Sequence, residues 1–406
     1  MHGGGTAMGI TPPDRTFLLD LTRLVRRAGR AMTGVDRVER AYLAHLGQAG
    51  RLYGLVRSSL GYILLDPGGC AAFARLLDQG NWGPPDRYAR LRPGLDAQRA
   101  RVEADLRRIA VDRCLPLRLA RMLRRHLPAH VRYLNVGHTK LTNGLVRAVR
   151  SIRGAHIAVM VHDTIPLDHP EWVRPEMPAR FRVFLDAVAT HADAVLFNSA
   201  DTQDRFARHV PGTAATPVMA RLGVDVPVPG AVPKGPWGNA PTFVIVGTIE
   251  PRKDHALLLD IWPDIHDAHL LICGSRGWRN EQVFYALDQK PNHVHELPGL
   301  SDAAVAALVQ HSFGLLQPSR AEGYGFPALE AASLGVPVLA TDLAVTRALL
   351  GDIAVYLPPG DAVAWTKAIN GRITAGRAGQ DTPPTGQKFS PPDWDQHFKT
   401  VLSRIC

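Results

Sequence analysis

The chain has 406 residues and a formal net charge of +10 at pH 7, with 46% hydrophobic and 21% charged residues. This length exceeds one ordinary core and predicts two or three domains of soluble globular type. No apolar run reaches the roughly 20 residues that cross a bilayer, and no secretory signal pattern opens the chain, so we expect a cytoplasmic protein. The four cysteines form no C-x-x-C pair, so neither a disulfide framework nor a zinc site is indicated.

The positive charge is concentrated in residues 86–150, where 16 lysine and arginine residues stand against 5 acidic ones. Within this region LPLRLARMLRRHL predicts a helix with apolar residues on one face and arginines on another. Such a helix either packs on its domain with a solvated basic face or docks on anionic lipid headgroups or an acidic acceptor. Nucleic acid is not an expected partner, because no recognised nucleic-acid-binding pattern accompanies the basic run.

We predict that residues 1–13 are disordered and that a first domain spans residues 14–228. An apolar strand at residues 16–21 is followed by the motif TGVDRVERAYLAHL, which begins a helix near Gly34. A glycine where a strand leads into a helix lets a doubly wound domain bring its backbone close to a ligand. The sequence therefore predicts a ligand-facing loop at Gly34.

The rest of the first domain is predicted to alternate helices and buried strands. Residues 70–130 are predicted to be a long helical region, broken around residues 81–85. The run HIAVMV at residues 156–161 predicts a strand with His162 at its carboxyl end. Ligands of parallel α/β sheets bind at that end of the strands, so His162 is a candidate site residue.

A segment rich in proline and glycine, residues 229–241, is predicted to link the first domain to a second one at residues 242–388. The first strand of the second domain leads into the loop GTIEPRKD, which begins at Gly247. This loop carries two adjacent cations, Arg252 and Lys253, ahead of a predicted helix. The pattern indicates an anion-binding group at the mouth of a sheet.

Residues 315–342 are predicted to form a strand, a ligand loop, a helix and a second strand. Pro327 suits the first helical position, where a missing N–H group costs nothing, and Gly335 suits the left-handed residue that ends a helix. Two carboxylates eight positions apart, Glu322 and Glu330, bracket the loop and can reach different parts of one elongated ligand. Glycines in the loop allow close approach of the backbone, and its amides lead into the positive end of the helix. The sequence therefore predicts that an anion binds between the two carboxylates.

The E-x7-E spacing within PSRAEGYGFPALEAASLGVPV resembles the signature of retaining GT-B glycosyltransferases of family 4. The resemblance implies an α/β fold of the GT-B type, with two Rossmann-like doubly wound domains facing each other across a cleft. It also implies that residues 389–406 form a helix that crosses back onto the first domain. It covers the chain from about residue 33 onward, closely in the second domain and more loosely in the first.

The resemblance assigns roles to individual residues. It implies that Glu322 contacts the donor sugar, that Glu330 holds the ribose hydroxyls and that His162 lies beside the anomeric carbon. Lys253, with Arg252 second, would bind the donor diphosphate, and these two cations complete the catalytic set with Glu322 and His162. The remaining expected donor-binding residues contribute mainly backbone groups: Gly34, Gly247, Gly274, Leu300, Gly323, Tyr324, Gly325 and Phe326.

The predicted reaction is transfer of a hexosyl unit, mannosyl above all, from a nucleotide sugar to a glycan or lipid-linked glycan. GDP-mannose is favoured as donor, with a UDP-sugar as the alternative, and neither a cofactor nor a metal is expected. Asp393 and Asp395 formally make a D-x-D motif, which we interpret as the first turn of a helix. Two alternatives stay open: a catalytically idle GT-B subunit that recruits an anionic polymer or membrane, and a GT-B epimerase or phosphorylase.

Overall fold

The computed structural model describes residues 15–48, 51–91, 94–378 and 389–406. The predicted disordered residues 1–13 lie outside these ranges, as does the end of the predicted second domain. The described chain forms two β-sheets on either side of the predicted linker, residues 229–241, so the α/β fold class is confirmed. The exact domain boundaries stay a prediction.

The first sheet has eight strands in the order β4-β3-β2-β1-β5-β6-β7-β8. All neighbours are parallel except that β3 runs antiparallel to both β2 and β4. The order reverses between β1 and β5, as in doubly wound folds. The strands are β1 (Phe17–Asp20), β2 (Leu52–Ser58), β3 (Gly61–Leu65), β4 (Asp112–Cys114), β5 (Arg132–Asn135), β6 (His156–Val161), β7 (Ala194–Phe197) and β8 (Thr216–Met219).

Helices connect these strands, and one sequence-based expectation here is wrong. Residues 70–130 do not form a helical region broken once, because β4 interrupts the helices and adds an edge strand to the sheet. A strand of three residues has no readable alternation, and only its pairing with β3 defines it. The helices are α1 (Thr22–Arg27), α2 (Gly34–Gln48), α3 (Pro67–Gln79), α4 (Ala97–Ile109), α5 (Leu119–His126), α6 (Asn143–Arg150), α7 (Ile165–Asp168), α8 (Met177–His191) and α9 (Ala200–His209).

The second sheet has six strands in the order β11-β10-β9-β12-β13-β14, and every pair is parallel. This is the strand order of dinucleotide-binding folds, with the reversal between β9 and β12. The strands are β9 (Thr242–Val246), β10 (His269–Cys273), β11 (Val294–Glu296), β12 (Gly314–Gln317), β13 (Val338–Thr341) and β14 (Val355–Leu357). The helices are α10 (His255–Ile261), α11 (Glu281–Asp288), α12 (Asp302–Gln310), α13 (Phe326–Ser333), α14 (Ala344–Leu350), α15 (Ala362–Arg377) and α16 (Trp394–Ile405).

The central strands of each sheet are buried on both faces, which explains why these strands are apolar without alternation. In β1, Phe17 and Leu19 pack into one core and Leu18 packs into another on the opposite face. In β9, Val244 and Phe243 divide between two cores in the same way. Parallel sheets covered by helices on both sides require such strands.

The last helix, α16, packs against the first half of the chain. The Phe398 ring lies 4.9 Å from the Tyr42 ring, and the Tyr42 hydroxyl lies 2.8 Å from Nε2 of His397. Asp393 caps this helix by accepting a hydrogen bond from the Gln396 amide at 2.6 Å. The interpretation of the D-x-D motif as a helix start is therefore confirmed. No helix in the described part of the chain is long and apolar enough to cross a membrane.

Candidate donor site between the two sheets

The carboxyl ends of strands from both sheets meet at one cleft. His162 follows β6 in the first half, and the loops after β9 and β12 lie opposite in the second. A Cβ atom on Gly34, the first residue of α2, would lie 3.1 Å from the Phe326 ring at the start of α13. A Cβ atom on Gly323 would lie 3.1 Å from the carbonyl oxygen of His162. Predicted site residues of both halves therefore come together.

A buried ion-pair cluster lies between the loop after β9 and the loop after β12. Nζ of Lys253 lies 2.5 Å from Oε1 of Glu322, and Nη1 of Arg252 donates to Oε2 of Glu322 at 3.0 Å. Nε of Arg252 also lies 2.6 Å from Oε1 of Glu250. Because strand order reverses between β9 and β12, this is the crevice in which open α/β sheets bind their ligands.

Within this cluster, each charged group stabilises the ionised form of its partner. Burial acts to raise the pKa of Glu322, but the nearby charges of Lys253 and Arg252 outweigh it and lower the pKa to about 2. Burial acts to lower the pKa of Arg252, but carboxylates led by Glu322 outweigh it and raise the pKa above its usual value. Glu322 and Arg252 are therefore both ionised at neutral pH. Removing one partner of such a pair destabilises the folded protein, because the other charge is left buried and unpaired.

Two glycines shape the loop that carries Lys253. Gly247 has φ of 137°, a backbone angle that side chains rarely adopt, and a Cβ atom there would lie 3.3 Å from Cε of Lys253. A Cβ atom on Gly274, which follows β10, would lie 1.9 Å from the carbonyl oxygen of Gly247. Both positions therefore exclude a side chain, and the glycines let the lysine stem and the two loops pack closely.

The loop before α13 ends in a left-handed residue. Gly325 has φ of 91° and caps the helix, and Pro327 occupies the first turn. In the described part of the chain, no backbone carbonyl accepts a hydrogen bond from the N–H groups of Tyr324, Gly325 or Phe326. These amides remain available at the positive end of the helix. The Tyr324 side chain points away and donates to the Leu222 carbonyl at 2.6 Å, which ties the loop to the first half.

His162 is a neutral hydrogen-bonding group. Its Nε2 lies 2.7 Å from the carbonyl oxygen of Val136. Because a carbonyl only accepts hydrogen bonds, Nε2 carries the proton and Nδ1 is left as an acceptor. Burial lowers the pKa of His162 to about 4, so the ring is uncharged at neutral pH. Its backbone is held by His138 and Asn198, through hydrogen bonds of 2.9 Å each.

Glu330 lies on α13 and pairs across the cleft with Arg37 of α2. The guanidinium of Arg37 also lies 3.5 Å from Oδ1 of Asp302 at the start of α12. Burial raises the pKa of Glu330, and Arg37 opposes that effect. Leu300 lies in the loop between β11 and α12, partly buried against the core, two residues before Asp302.

The predicted glycine loop after β10 also contacts the first half. Nε1 of Trp278 donates to the Trp172 carbonyl at 3.1 Å, and Arg279 donates to the Val173 carbonyl at 2.8 Å. The guanidinium of Arg174 lies 5.7 Å from the centre of the Trp278 ring. These contacts join the two halves at a second point, beside the cleft.

Sequence reasoning named no role for three charged residues that the structure brings into the cleft. Asp163 lies against Gly323, and its charge acts on Arg252, as does that of Glu250. Asp163 directly follows His162 in the run HDTIP, and this adjacency was a usable signal. Arg37 pairs with Glu330 at a separation of 293 residues, and no local pattern distinguishes it from its neighbouring arginines.

The arrangement has the parts that bind an elongated anion. Buried Lys253, partly exposed Arg252 and a helix N-terminus can balance a diphosphate, and carboxylates at either side can accept hydrogen bonds from hydroxyl groups. To do this, Lys253 and Arg252 would share their charge between Glu322 and the ligand. Within the described residues, no cluster of three or more histidine, cysteine or acidic side chains could hold a metal ion.

Residues 240–374 match the family described as Glycosyl transferases group 1. The serotype-specific mannosyltransferase WbdA of Escherichia coli is 28% identical over 368 residues, which are 84% of this chain and 39% of the relative. The phosphatidyl-myo-inositol mannosyltransferase of Mycobacterium leprae is 31% identical over 170 residues, 37% of this chain and 45% of the relative. The matched residues thus span less than half the length of each of these curated relatives.

Two solved structures resemble the whole described fold. HepE of Anabaena, crystallised in complex with UDP, has a TM-score of 0.59 and 15% identity, covering 96% of this chain and 95% of its own. The sucrose-phosphate synthase of Thermosynechococcus elongatus has the same TM-score and identity and covers 97% and 95%. At this level of identity, the likeness concerns the fold.

Proposed function

We propose that this chain, which has the GT-B fold and whose residues 240–374 match the group 1 glycosyl transferases, transfers a mannosyl unit. The donor is a nucleoside diphosphate sugar, with GDP-mannose favoured over a UDP-sugar. The acceptor is a glycan or a lipid-linked glycan, and the anomeric configuration is retained without a metal ion. Donor and acceptor belong to the proposal because the matched residues cover only 39% and 45% of these two relatives.

The observation that carries this proposal is the cluster of Lys253, Arg252 and Glu322 at the strand reversal of the second sheet, opposite His162. Breaking a sugar–phosphate bond places negative charge on the leaving diphosphate. Buried cations and the amides at the start of α13 are preorganised to stabilise that charge, at about 3–4 kcal/mol for each such group in mutational tests. Glu322 then orients the sugar, and Nδ1 of neutral His162 accepts a hydrogen bond from it.

In the proposed step, the acceptor oxygen replaces the diphosphate oxygen in a single displacement on one face of the sugar. The bond between the anomeric carbon and the diphosphate oxygen breaks, and a bond to the acceptor oxygen forms on the same side. The acceptor proton moves to the leaving phosphate oxygen. No side chain is required as a nucleophile, which agrees with Glu322 being held by two cations.

The choice of mannose rests on the relatives named as mannosyltransferases, and the UDP alternative rests on the ligand of HepE. A cytoplasmic location with peripheral contact to an anionic membrane through residues 86–150 belongs to the same proposal. Helix α5 in this region buries its apolar residues and exposes its arginines, and Leu117 before it is fully exposed. A lipid-linked acceptor would be reached from such a surface.

Thermal unfolding with GDP, UDP and ADP in EDTA, for wild type and Glu330→Ala, tests the donor site. Ligand at 100 times its Kd adds about 2.7 kcal/mol of stability, which shifts the transition by a few degrees. We expect one nucleotide to stabilise the wild type and to fail on the variant. If none of them shifts the wild type, the idle-subunit alternative becomes the better account.

A further inference from the structure

The first turns of α2 and α13 face each other in register across the cleft. Gly34 and Arg37 lie three positions apart on one face of α2, and Phe326 and Glu330 lie four apart on one face of α13. Gly34 lies against the Phe326 ring, and Arg37 Nη1 pairs with Oε1 of Glu330. The two contacts together dock one helix start onto the other.

In the described part of the chain, one cation forms an ion pair with Glu330. From α2 comes Arg37, from the start of α12 comes Asp302, and from the loop after β8 comes Asp225. On the neighbouring α14, Arg347 is paired with Asp342. Among described residues, Arg37 is thus the sole ion-pair partner of Glu330, whose side chain is only 14% exposed.

We infer that Arg37 is a positioning residue for the ribose of the nucleotide, acting through Glu330. The pair involves Oε1 of Glu330, which leaves Oε2 free to accept a ribose hydroxyl while the ion pair persists. Arg37 fixes the direction of the carboxylate, and its charge opposes the effect of burial on the pKa of Glu330. This inference rests on the proposed function, in which Glu330 is the ribose ligand.

The charge balance explains why Arg37 is needed. Burial acts first to raise the pKa of Glu330, the Arg37 charge lowers it, and Asp302 and Asp225 raise it further. Without Arg37, burial and both neighbouring carboxylates favour the protonated acid. A protonated carboxyl has fewer acceptor positions for two ribose hydroxyls, so nucleotide affinity then depends on pH.

The test is calorimetric binding of GDP, UDP and ADP to wild type, Arg37→Met, Arg37→Lys and Arg40→Met, from about pH 5.5 to about pH 8.5. Arg40 is the matched control, because it lies one turn further along α2 and pairs with the exposed Asp78. With the tightest of the three nucleotides, we expect Arg37→Met to bind about tenfold or more weakly at the acid end. This deficit relative to wild type shrinks as pH rises, and Arg37→Lys recovers part of the affinity.

At each pH, the affinity of Arg37→Met is divided by that of the wild type. Protonation of the nucleotide itself affects both proteins equally and cancels in this ratio. In a Glu330→Gln background, Arg37→Met should cause little further loss. A deficit that is constant with pH, or that grows as pH rises, would mean a phosphate contact or a structural role and overturn the inference. So would equal binding by Arg37→Met and Arg40→Met. A wild type that binds none of the three nucleotides overturns the proposed function itself, which is a distinguishable result.

Discussion

At the scale of single residues, Glu322 pairs with two cations, and we propose that it also orients the donor sugar. In the described structure its oxygens are both taken, one by Lys253 and one by Arg252. A diphosphate that enters the site would compete with Glu322 for the same two cations. In the free protein Glu322 neutralises these cations, and the ligand can take over part of that role. The low pKa of Glu322 is a direct consequence of this pairing.

Replacing Glu322 by glutamine separates sugar positioning from phosphate binding. We expect Glu322→Gln to lower the turnover of the donor by about a hundredfold or more, which is the usual cost of a preorganised polar group at a reacting centre. Nucleoside diphosphate affinity is kept or increased, because Lys253 and Arg252 no longer share their charge. Steady-state kinetics together with calorimetry measure both effects.

The control is Glu281→Gln, which changes an exposed carboxylate in the first turn of α11. It should match the wild type in turnover and in binding. Turnover by Glu322→Gln close to that of the wild type would rule out the assigned role of Glu322.

Sequence patterns predict individual residues of the candidate site better than they predict which of these residues pair with each other. The glycine and proline pattern around Gly325 and Pro327 correctly predicts where α13 begins, because it encodes a local backbone requirement. Which cation meets which carboxylate is not local: Lys253 and Glu322 are 69 residues apart, and Arg37 and Glu330 are 293 apart. Such pairs follow only from the packing of two sheets against each other.

At the scale of elements, the strand order explains why the loops after β9 and β12 carry the site. Continuous apolar runs predicted the central strands because these strands are buried on both faces of their sheet. The edge strand β4 was missed because three residues are too few to show an alternation of apolar and polar side chains. Its partner β3 lies far from it in the sequence, so no local pattern predicts their pairing. Helix α5 directly follows this edge and carries the exposed arginines of the basic region.

Vesicle binding tests the proposed membrane contact at this element. We expect the wild type to co-sediment with phosphatidylglycerol vesicles but not with neutral phosphatidylcholine vesicles, and to be released by salt. Leu115 and Leu117 are 64% and 100% exposed and are suited to enter the headgroup region. The double variant Leu115→Ser with Leu117→Ser should bind several-fold more weakly, because it loses apolar area that would be buried.

Val363→Ser is the matched control, since Val363 is 78% exposed on α15 of the second half. It should bind vesicles like the wild type. If the double variant binds as well as this control, the exposed leucines before α5 do not enter the membrane, and this part of the proposed contact is wrong.

At the scale of the whole molecule, several buried histidines link folding to pH. Burial lowers the pKa of His162 and of His397 to about 4, and that of His255 to about 3. Each folded-state pKa lies below the unfolded value near 6.5. The unfolded chain therefore takes up protons first on acidification, so this stability is present above about pH 6.5 and is lost as pH falls toward 4.

We predict that the melting temperature is nearly constant just above neutral pH and falls steeply between about pH 6.5 and pH 4. Each fully buried histidine contributes a slope of up to about 1.4 kcal/mol per pH unit. His397→Gln should make the fall shallower, whereas His266→Gln, at an exposed position, should leave it unchanged. Calorimetric unfolding across this range measures the slopes, and identical slopes for the wild type and His397→Gln would refute the assignment.

The most direct measurement of the central claim is NMR of the anomeric protons during turnover of GDP-mannose in EDTA with short mannose oligosaccharides as acceptors. We expect a new glycosidic signal with the anomeric configuration of the donor, formed without a divalent metal. The signal should be lost in Glu322→Gln and kept in Glu281→Gln. A product of inverted configuration, a requirement for divalent metal, or no transfer from either GDP- or UDP-sugars would contradict the account.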